Sequence, residues 1–178
     1  MKSGFQFHIV SDGSGSPVAR GDDRRAEIGQ RKIVVIDIEN MMFGQHVNSS
    51  EPDRSVEILD LAQARRPTDM AIVGCNPQLA FSAKELFPHA QIVTGKGKDG
   101  ADRALIDKID LHHVSDRFDE LCIVSGDHAF APIAHAASQA GLKVRVVAPS
   151  FGLSTALRVY ADTAVLLPDS PCREEEAA

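Results

Sequence analysis

The sequence predicts an α/β domain in which helices cover both faces of a mostly parallel sheet. Apolar runs rich in Val and Ile recur along the chain, and they are continuous rather than alternating, which is typical of strands buried on both faces. Segments with helical periodicity separate the runs, and strands linked by helices favour right-handed crossovers and parallel pairing. The six predicted strands are residues 32–37, 70–75, 90–94, 120–125, 143–148 and 163–167.

Five helices are predicted between these strands. Asn76-Pro77 and Ser154-Thr155 are suitable helix starts, and Gly141 is a suitable stop. Together with the strands, these helices predict one three-layer α/β/α domain over residues 31–168. The predicted helices are residues 53–65, 76–86, 100–113, 128–140 and 153–161.

The two ends of the chain differ in composition from this domain. Residues 1–30 predict a flexible extension, in which an edge strand at 5–10 is compatible with the pattern and a Ser- and Gly-rich stretch follows at 11–17. Residues 169–178 predict an acidic, frayed tail.

Composition and charge narrow the class of protein. The net charge of −6 argues against a general electrostatic grip on nucleic acid, although a local basic patch is compatible with it. The three cysteines have no Cys-x-x-Cys spacing, which favours reduced thiols, and we expect Cys75 and Cys122 to be buried. No stretch approaches the roughly 18 apolar residues of a membrane span, and no apolar signal core follows Met1. We therefore expect a cytoplasmic protein.

Aspartates lie where predicted strands end. Asp37 follows four branched apolar residues, and Asp127 follows another buried run through Ser-Gly. The carboxyl ends of parallel strands meet at one edge of a sheet, so these two side chains can approach each other. Asn40 lies three residues after Asp37, and Asp102 lies near the predicted start of the third helix. These residues form a candidate acidic site.

A cluster of carboxylates is stable only if something offsets the repulsion between their charges. At about 4 Å and an effective dielectric near 20, each pair costs roughly 4 kcal/mol if both groups are ionised. Such a cluster persists if a proton is shared, if a Lys or Arg intervenes, or if a divalent cation binds. Mg²⁺ suits oxygen ligands of this kind, and could activate water beside a phosphodiester. For each aspartate taken alone, helix capping is the alternative.

Three segments resemble the NYN domains, which belong to the PIN-like metal-dependent nucleases. The segments are Val34–Asn40, Lys98–Leu105 and Ile123–Phe130, and they occur in the family's order. Two closing segments, 141–148 and 153–167, are similar to the family's final units, so the resemblance covers residues 31–167. It implies a PIN-like, Rossmann-like fold and a Mg²⁺ or Mn²⁺ site that cleaves RNA.

The resemblance also implies roles for the candidate site residues. Asp37 and Asp127 would bind the metal directly or through water. Asp102 would complete the acidic cluster around the metal. Asn40 would orient a water or a phosphate oxygen, which makes all four residues candidates for catalysis.

The chain departs from the family pattern at Ala129. Many members have a second acid there, in a Ser-Gly-Asp-x-Asp-Phe motif, and its loss weakens metal affinity and could remove a water-positioning group. Glu39 and Asp107 are candidate substitutes. Glu39 neighbours Asp37, with an exposed loop position as the alternative. Asp107 is about 140° around a helix from Asp102, so we leave it out of the site.

A basic loop leads into Asp102. Lys96 and Lys98 could hold an RNA backbone beside the acids, with solvated turn lysines as the alternative. The loop lacks the Gly-Lys-Ser/Thr ending of a nucleotide-binding P-loop. Arg103 and His128 are further candidates for substrate binding. His128 could contact phosphate or act as an acid or base, with plain solvent exposure as the alternative.

Two aromatic side chains are candidates for contact with RNA bases. Phe43 and Phe151 follow the first and fifth strands, and we expect both to pack under loops, with base stacking as the alternative. Phe130 begins a stripe of apolar residues at helical spacing, which predicts core packing.

The sequence therefore predicts a divalent-metal-dependent endoribonuclease whose partner is RNA, with a homo-oligomer also compatible. One alternative is a binding module that keeps the fold for RNA or protein contact and has lost catalysis with the acid at position 129. Another is a phosphatase of the haloacid-dehalogenase type, because Asp37-Ile38-Glu39 resembles its acid pair. That chemistry needs a further acid after Asp127, which Phe130 and Ala131 do not supply.

Overall fold

The computed structural model describes residues 31–42, 52–62 and 67–167. Within this part of the chain, six strands form one sheet in the order β3-β2-β1-β4-β5-β6, and every pairing is parallel. All six predicted strands and the α/β fold class are confirmed. The strands are β1 Lys32–Asp37, β2 Met70–Cys75, β3 Gln91–Thr94, β4 Glu120–Val124, β5 Lys143–Pro149 and β6 Thr163–Leu167.

Seven helices accompany the sheet in the described residues. Two short 3₁₀ turns, Pro77–Leu79 and His128–Phe130, lead into α3 and α6. The α6 helix ends before Gly141, whose φ of +85° is the left-handed conformation that glycine adopts readily. The helices are α1 Ile38–Met42, α2 Pro52–Leu61, α3 Ala80–Leu86, α4 Gly100–Lys108, α5 Leu111–Ser115, α6 Ala131–Gln139 and α7 Thr155–Arg158.

The predicted helix over residues 100–113 is wrong as one continuous element. It breaks into α4 and α5 because Asp110 caps the second helix: one carboxylate oxygen accepts hydrogen bonds from the backbone N–H groups of His112 and His113, at 3.1 and 3.4 Å. Aspartate competes well for such orphan N–H groups at a helix start, so it favours a new helix over continuation of the old one.

Two apolar layers flank the sheet. Alternating side chains of each strand face opposite sides, so Val35 packs with α4 to α7 while Val34 packs with α1 to α3. The predicted stripe on α6 is confirmed, since all its members are buried on the first of these faces. The stripe consists of Phe130, Ile133, Ala134 and Ala137.

The strand order creates a crevice between β1 and β4. From β1 the chain proceeds outward through β2 to β3, and it then returns to place β4 on the other side of β1. The loops that follow β1 and β4 therefore diverge, which is the arrangement that leaves room for a ligand at the carboxyl ends of the strands. Asp37 is the last residue of β1, and Val124 ends β4.

Several predictions fall on other parts of the chain. The extension 1–30, the acidic tail, Phe43 and Cys172 lie outside the described residues.

Cys75 and Cys122 are fully buried, as predicted, and burial raises the pKa of these thiols to about 11 and about 12. Both are therefore protonated and unreactive near neutral pH. In the described ranges, the helices are all too short or too polar to cross a bilayer.

Candidate active site

The site begins with a carboxyl group buried at the end of β1. Asp37 is only 3% exposed, in line with the apolar residues that precede it. Its Oδ1 accepts a hydrogen bond from the backbone N–H of Asn40 at 3.2 Å, and its Oδ2 accepts one from the Ser125 hydroxyl at 3.0 Å. These two donors fix the orientation of the carboxyl group.

A short network joins the ends of β1 and β4. The Asn40 side-chain oxygen accepts a hydrogen bond from the backbone N–H of Gly126 at 2.9 Å. The Ser125 hydroxyl, which donates to Asp37, accepts one from the backbone N–H of Asp127 at 3.1 Å. The turn after β4 is thus held against the first turn of α1, and Asp127 is positioned relative to Asp37.

Glycine permits the close packing that brings α4 to this edge of the sheet. A Cβ on Gly74, in β2, would overlap the side chain of Leu105, so the absence of one lets α4 lie directly against the strand. A Cβ on Gly95 would likewise overlap the carbonyl of Gly100, the first residue of α4. The start of α4, which carries Asp102 in its first turn, is therefore held beside the ends of β1 and β2.

The structure places Asp37 within electrostatic range of Asp102, and Asp102 within electrostatic range of Asp127. Burial and the negative charge of Asp102 raise the pKa of Asp37 from 3.8 to about 7. Burial first, and then the charge of Asp127, also raise the pKa of Asp102. Asp37 therefore holds its proton up to about neutral pH, and the negative charge of Asp127 acts on Asp102.

Asp127 also caps the turn that follows it. Its Oδ1 accepts a hydrogen bond from the backbone N–H of Ala129 at 2.8 Å, and lies 2.9 Å from Nδ1 of His128. The His128 side chain is 81% exposed. Asp127 thus caps the turn through Oδ1. Its negative charge also acts on Asp102.

The basic residues lie on the surface around these acids. Lys96 and Lys98 are exposed in the loop between β3 and α4, at the same edge of the sheet as Asp37. Arg103 is exposed on α4, immediately after Asp102. These cations can meet a polyanion that approaches the carboxyl edge, whereas the acids lie deeper.

Ser125 and Asp99 contribute to the site although no role is predicted for them from sequence, and Glu39, a predicted substitute acid, adds charge. Ser125 bridges Asp37 and Asp127, and its position directly after a buried strand was the available signal. Asp99 and Glu39 add negative charge that raises the pKa of Asp102. Glu39 is exposed, and its carboxylate accepts a hydrogen bond from the backbone N–H of Asn76 at 2.7 Å, so it faces β2.

The prediction that Phe151 packs under a loop is wrong. This side chain is 61% exposed, in the loop between β5 and α7. The neighbouring Leu153 packs against the core instead. The loop has one apolar anchor, and the sequence pattern does not indicate which of the two residues supplies it.

The donor set fits a hard divalent cation by its chemistry. Among residues 31–42, 52–62 and 67–167, no three His, Cys, Asp or Glu side chains are grouped closely enough to hold a metal as they stand. The oxygens available to a cation here are those of the Asp37, Asp102 and Asp127 carboxyl groups. Carboxylate oxygens with excess negative charge are what Mg²⁺ or Mn²⁺ requires, and a cation would displace the proton from Asp37.

Comparisons with known proteins agree with this architecture. A protein of unknown function from Vibrio parahaemolyticus has a similar crystal structure, with a TM-score of 0.53 and 17% sequence identity over 79% of this chain and 94% of that one. No curated protein matches the chain. The model of the NYN domain family matches residues 32–168, which include every residue of the site. The chain therefore belongs to the NYN domain family, whose members are nuclease-like.

Proposed function

We propose that this protein is a divalent-metal-dependent endoribonuclease that hydrolyses RNA phosphodiesters at the crevice between β1 and β4. One observation carries the proposal: the buried carboxyl group of Asp37 lies beside the half-buried Asp102, on which Asp127 acts, at a strand switch point. Perturbed carboxyls in a crevice are typical of functional sites rather than of structural ones. Membership of a nuclease-like family gives the reaction class.

Asp37, Asp102 and Asp127 would hold the cation. Its contribution would be to lower the pKa of a water molecule and to stabilise negative charge on the phosphate oxygens. As they stand the three acids are not grouped closely enough to hold a metal, so their carboxyl groups would draw together when the cation binds. The network of Asn40, Ser125 and Gly126 limits that movement for Asp37 and for the turn that carries Asp127. Preorganisation of this kind is what makes an electrostatic site effective.

The remaining residues would bind the substrate. Lys96, Lys98 and Arg103 offer positive charge to the RNA backbone, which offsets the net charge of −6 locally. The exposed His128 lies beside Asp127 and could donate a hydrogen bond to a phosphate oxygen. The attacking water would be oriented in line with the scissile bond by the three acids.

The proposal is tested by incubating the purified protein with end-labelled RNA in Mn²⁺, Mg²⁺ or EDTA. We expect cleavage with either metal, none in EDTA, and none with Asp102→Asn. Asp107→Asn is the matched control, because Asp107 is an exposed acid on the same helix. Cleavage that survives EDTA or Asp102→Asn would contradict the proposal.

The alternative, a binding module without catalysis, rests on Ala129. The methyl group there supplies no second carboxylate, and the residue contributes only its backbone N–H to Asp127. RNA binding without cleavage in any metal would favour this alternative. Hydrolysis of small phosphate esters without RNA cleavage would favour phosphatase chemistry instead.

A further inference from the structure

An exposed aromatic residue, Phe151, lies in a loop that contacts the turn before Asp127. Phe151 follows β5, and β5 pairs with β4, whose end leads to Asp127. Neighbouring strands are about 4.8 Å apart, so the end of β5 is roughly 5 Å from that of β4 and roughly 10 Å from that of β1. The loop that carries Phe151 therefore begins about one or two strand widths from the acids.

The loop that carries Phe151 is fixed to the site. The backbone N–H of Ser154 donates to the carbonyl of Gly126 at 2.9 Å, and a Cβ on Gly126 would overlap the carbonyl of Gly152. Ser150 is held on the other side, because its N–H donates to the carbonyl of Leu167 at 3.2 Å. Phe151 thus belongs to a loop that is hydrogen-bonded directly to the residue before Asp127.

The acids lie between two different kinds of surface. Lys96 and Lys98 follow β3 on one side of the crevice, and Phe151 follows β5 on the other. Cations bind the phosphates of a nucleic acid, whereas an aromatic ring binds an unpaired base by stacking. A single strand of RNA that crosses the acids would contact both surfaces. In a duplex, neighbouring base pairs cover the faces of each base, so these faces could not stack on Phe151.

We propose that Phe151 is a base-stacking residue that binds an unpaired nucleotide next to the scissile phosphate and so favours single-stranded over duplex RNA. This inference rests on the proposed ribonuclease function, since it names a specificity determinant of the same site. Its role is to bind and position substrate, not to take part in bond cleavage. Phe151 is 61% exposed, so a nucleotide can reach it.

The test measures RNA affinity and cleavage separately. Fluorescence anisotropy in EDTA gives the Kd of a labelled single strand and of the same strand in a duplex, and cleavage in Mn²⁺ gives kcat and KM. For Phe151→Ala we expect the single-strand Kd and KM to rise about 10-fold, with duplex Kd and kcat within about twofold of wild type. Phe151→Trp should restore single-strand binding, since the larger ring also stacks.

Phe81→Ala is the matched control. Phe81 is 75% exposed, but it lies on α3, which covers the opposite face of the sheet. We expect it to leave single-strand affinity unchanged. Equal losses for Phe81→Ala and Phe151→Ala, equal losses for single-stranded and duplex RNA, or failure of Phe151→Trp to restore binding would overturn the inference.

The inference and the proposed function fail in different ways. Cleavage by wild type with unchanged kinetics for Phe151→Ala overturns the stacking role and leaves the ribonuclease proposal intact. Binding that depends on Phe151, without cleavage in any metal, overturns the ribonuclease proposal and supports the stacking role. Absence of any single-strand binding by wild type overturns the stacking role.

Discussion

The buried acidic side chains at the two ends of the sheet have neighbours of opposite charge. At the amino ends of the strands, the buried Glu120 carboxylate lies 2.7 Å from Nε of Arg145 and 3.5 Å from Nζ of Lys32. At the carboxyl ends, Asp37 meets another carboxyl group and its pKa rises to about 7. Among the described residues, cations neutralise Glu120, whereas Asp37 faces a second acid and keeps a proton instead. This difference is expected if the amino end is structural and the carboxyl end is the proposed metal site.

The largest effect should come from removing the acid at the carboxyl end. Asp37→Asn should lower the rate of RNA cleavage by at least about 10³-fold, because a metal-activated water is worth several kcal/mol. It should not lower the melting temperature near pH 8 without metal, because the buried charge that it removes faces the negative charge of Asp102. Cleavage rates and thermal melts of the same preparation check both. A large loss of stability with normal activity per folded molecule would reverse the assignment of the two ends.

The amino end should show the reverse pattern. Glu120→Gln leaves Lys32 and Arg145 beside a neutral side chain, and breaking a buried ion pair in this way typically costs about 3–5 kcal/mol. Urea denaturation should show that loss of stability, with cleavage per folded molecule unchanged. Asp107→Asn, at an exposed position, should change stability by less than about 0.5 kcal/mol. Loss of activity in folded Glu120→Gln would show that the two ends are coupled.

The pH dependence of stability should follow Asp37. Its pKa is raised from 3.8 to about 7 on folding, so the folded state holds a proton that the unfolded state releases. Stability of the metal-free protein should therefore fall as the pH rises through this window, by about 3 kcal/mol between pH 5 and pH 8. Asp37→Asn should flatten that dependence. A wild-type curve that rises over the same range would be inconsistent with a proton held by Asp37.

A smaller effect is expected from restoring the missing acid. Ala129→Asp places a carboxylate next to the turn capped by Asp127, and should increase metal affinity or cleavage by about 10-fold. Mn²⁺-dependent cleavage measured over a range of metal concentrations gives both quantities. Ala129→Asn is the control, because it adds similar bulk without charge. Equal gains for both variants would assign the effect to packing or hydrogen bonding rather than to charge.

The fold could be predicted from sequence because burial dictates its pattern. Both faces of the central strands are covered, so their apolar runs are continuous, and all six strands were predicted from these runs. The break before α5 was missed, since the competition between helix continuation and capping by Asp110 is decided by local geometry.

The site was predictable only in part. Strand ends place Asp37 and Asp127 at one edge, but the approach of Asp102 to Asp37 depends on how closely α4 packs on Gly74. The exposure of Phe151 depends on which of two apolar residues in its loop is turned inward, and the side-chain pattern alone does not decide this.

The central claim is that the carboxyl end of the sheet binds a divalent cation in exchange for the proton on Asp37. Calorimetric titration of the protein with Mn²⁺ below pH 7, in two buffers of different ionisation enthalpy, tests it most directly. We expect saturable Mn²⁺ binding with release of about one proton in wild type and in Asp107→Asn. Both the binding and the proton release should be lost in Asp37→Asn and in Asp102→Asn. Unchanged binding in Asp37→Asn and Asp102→Asn, or no binding in wild type, would contradict it.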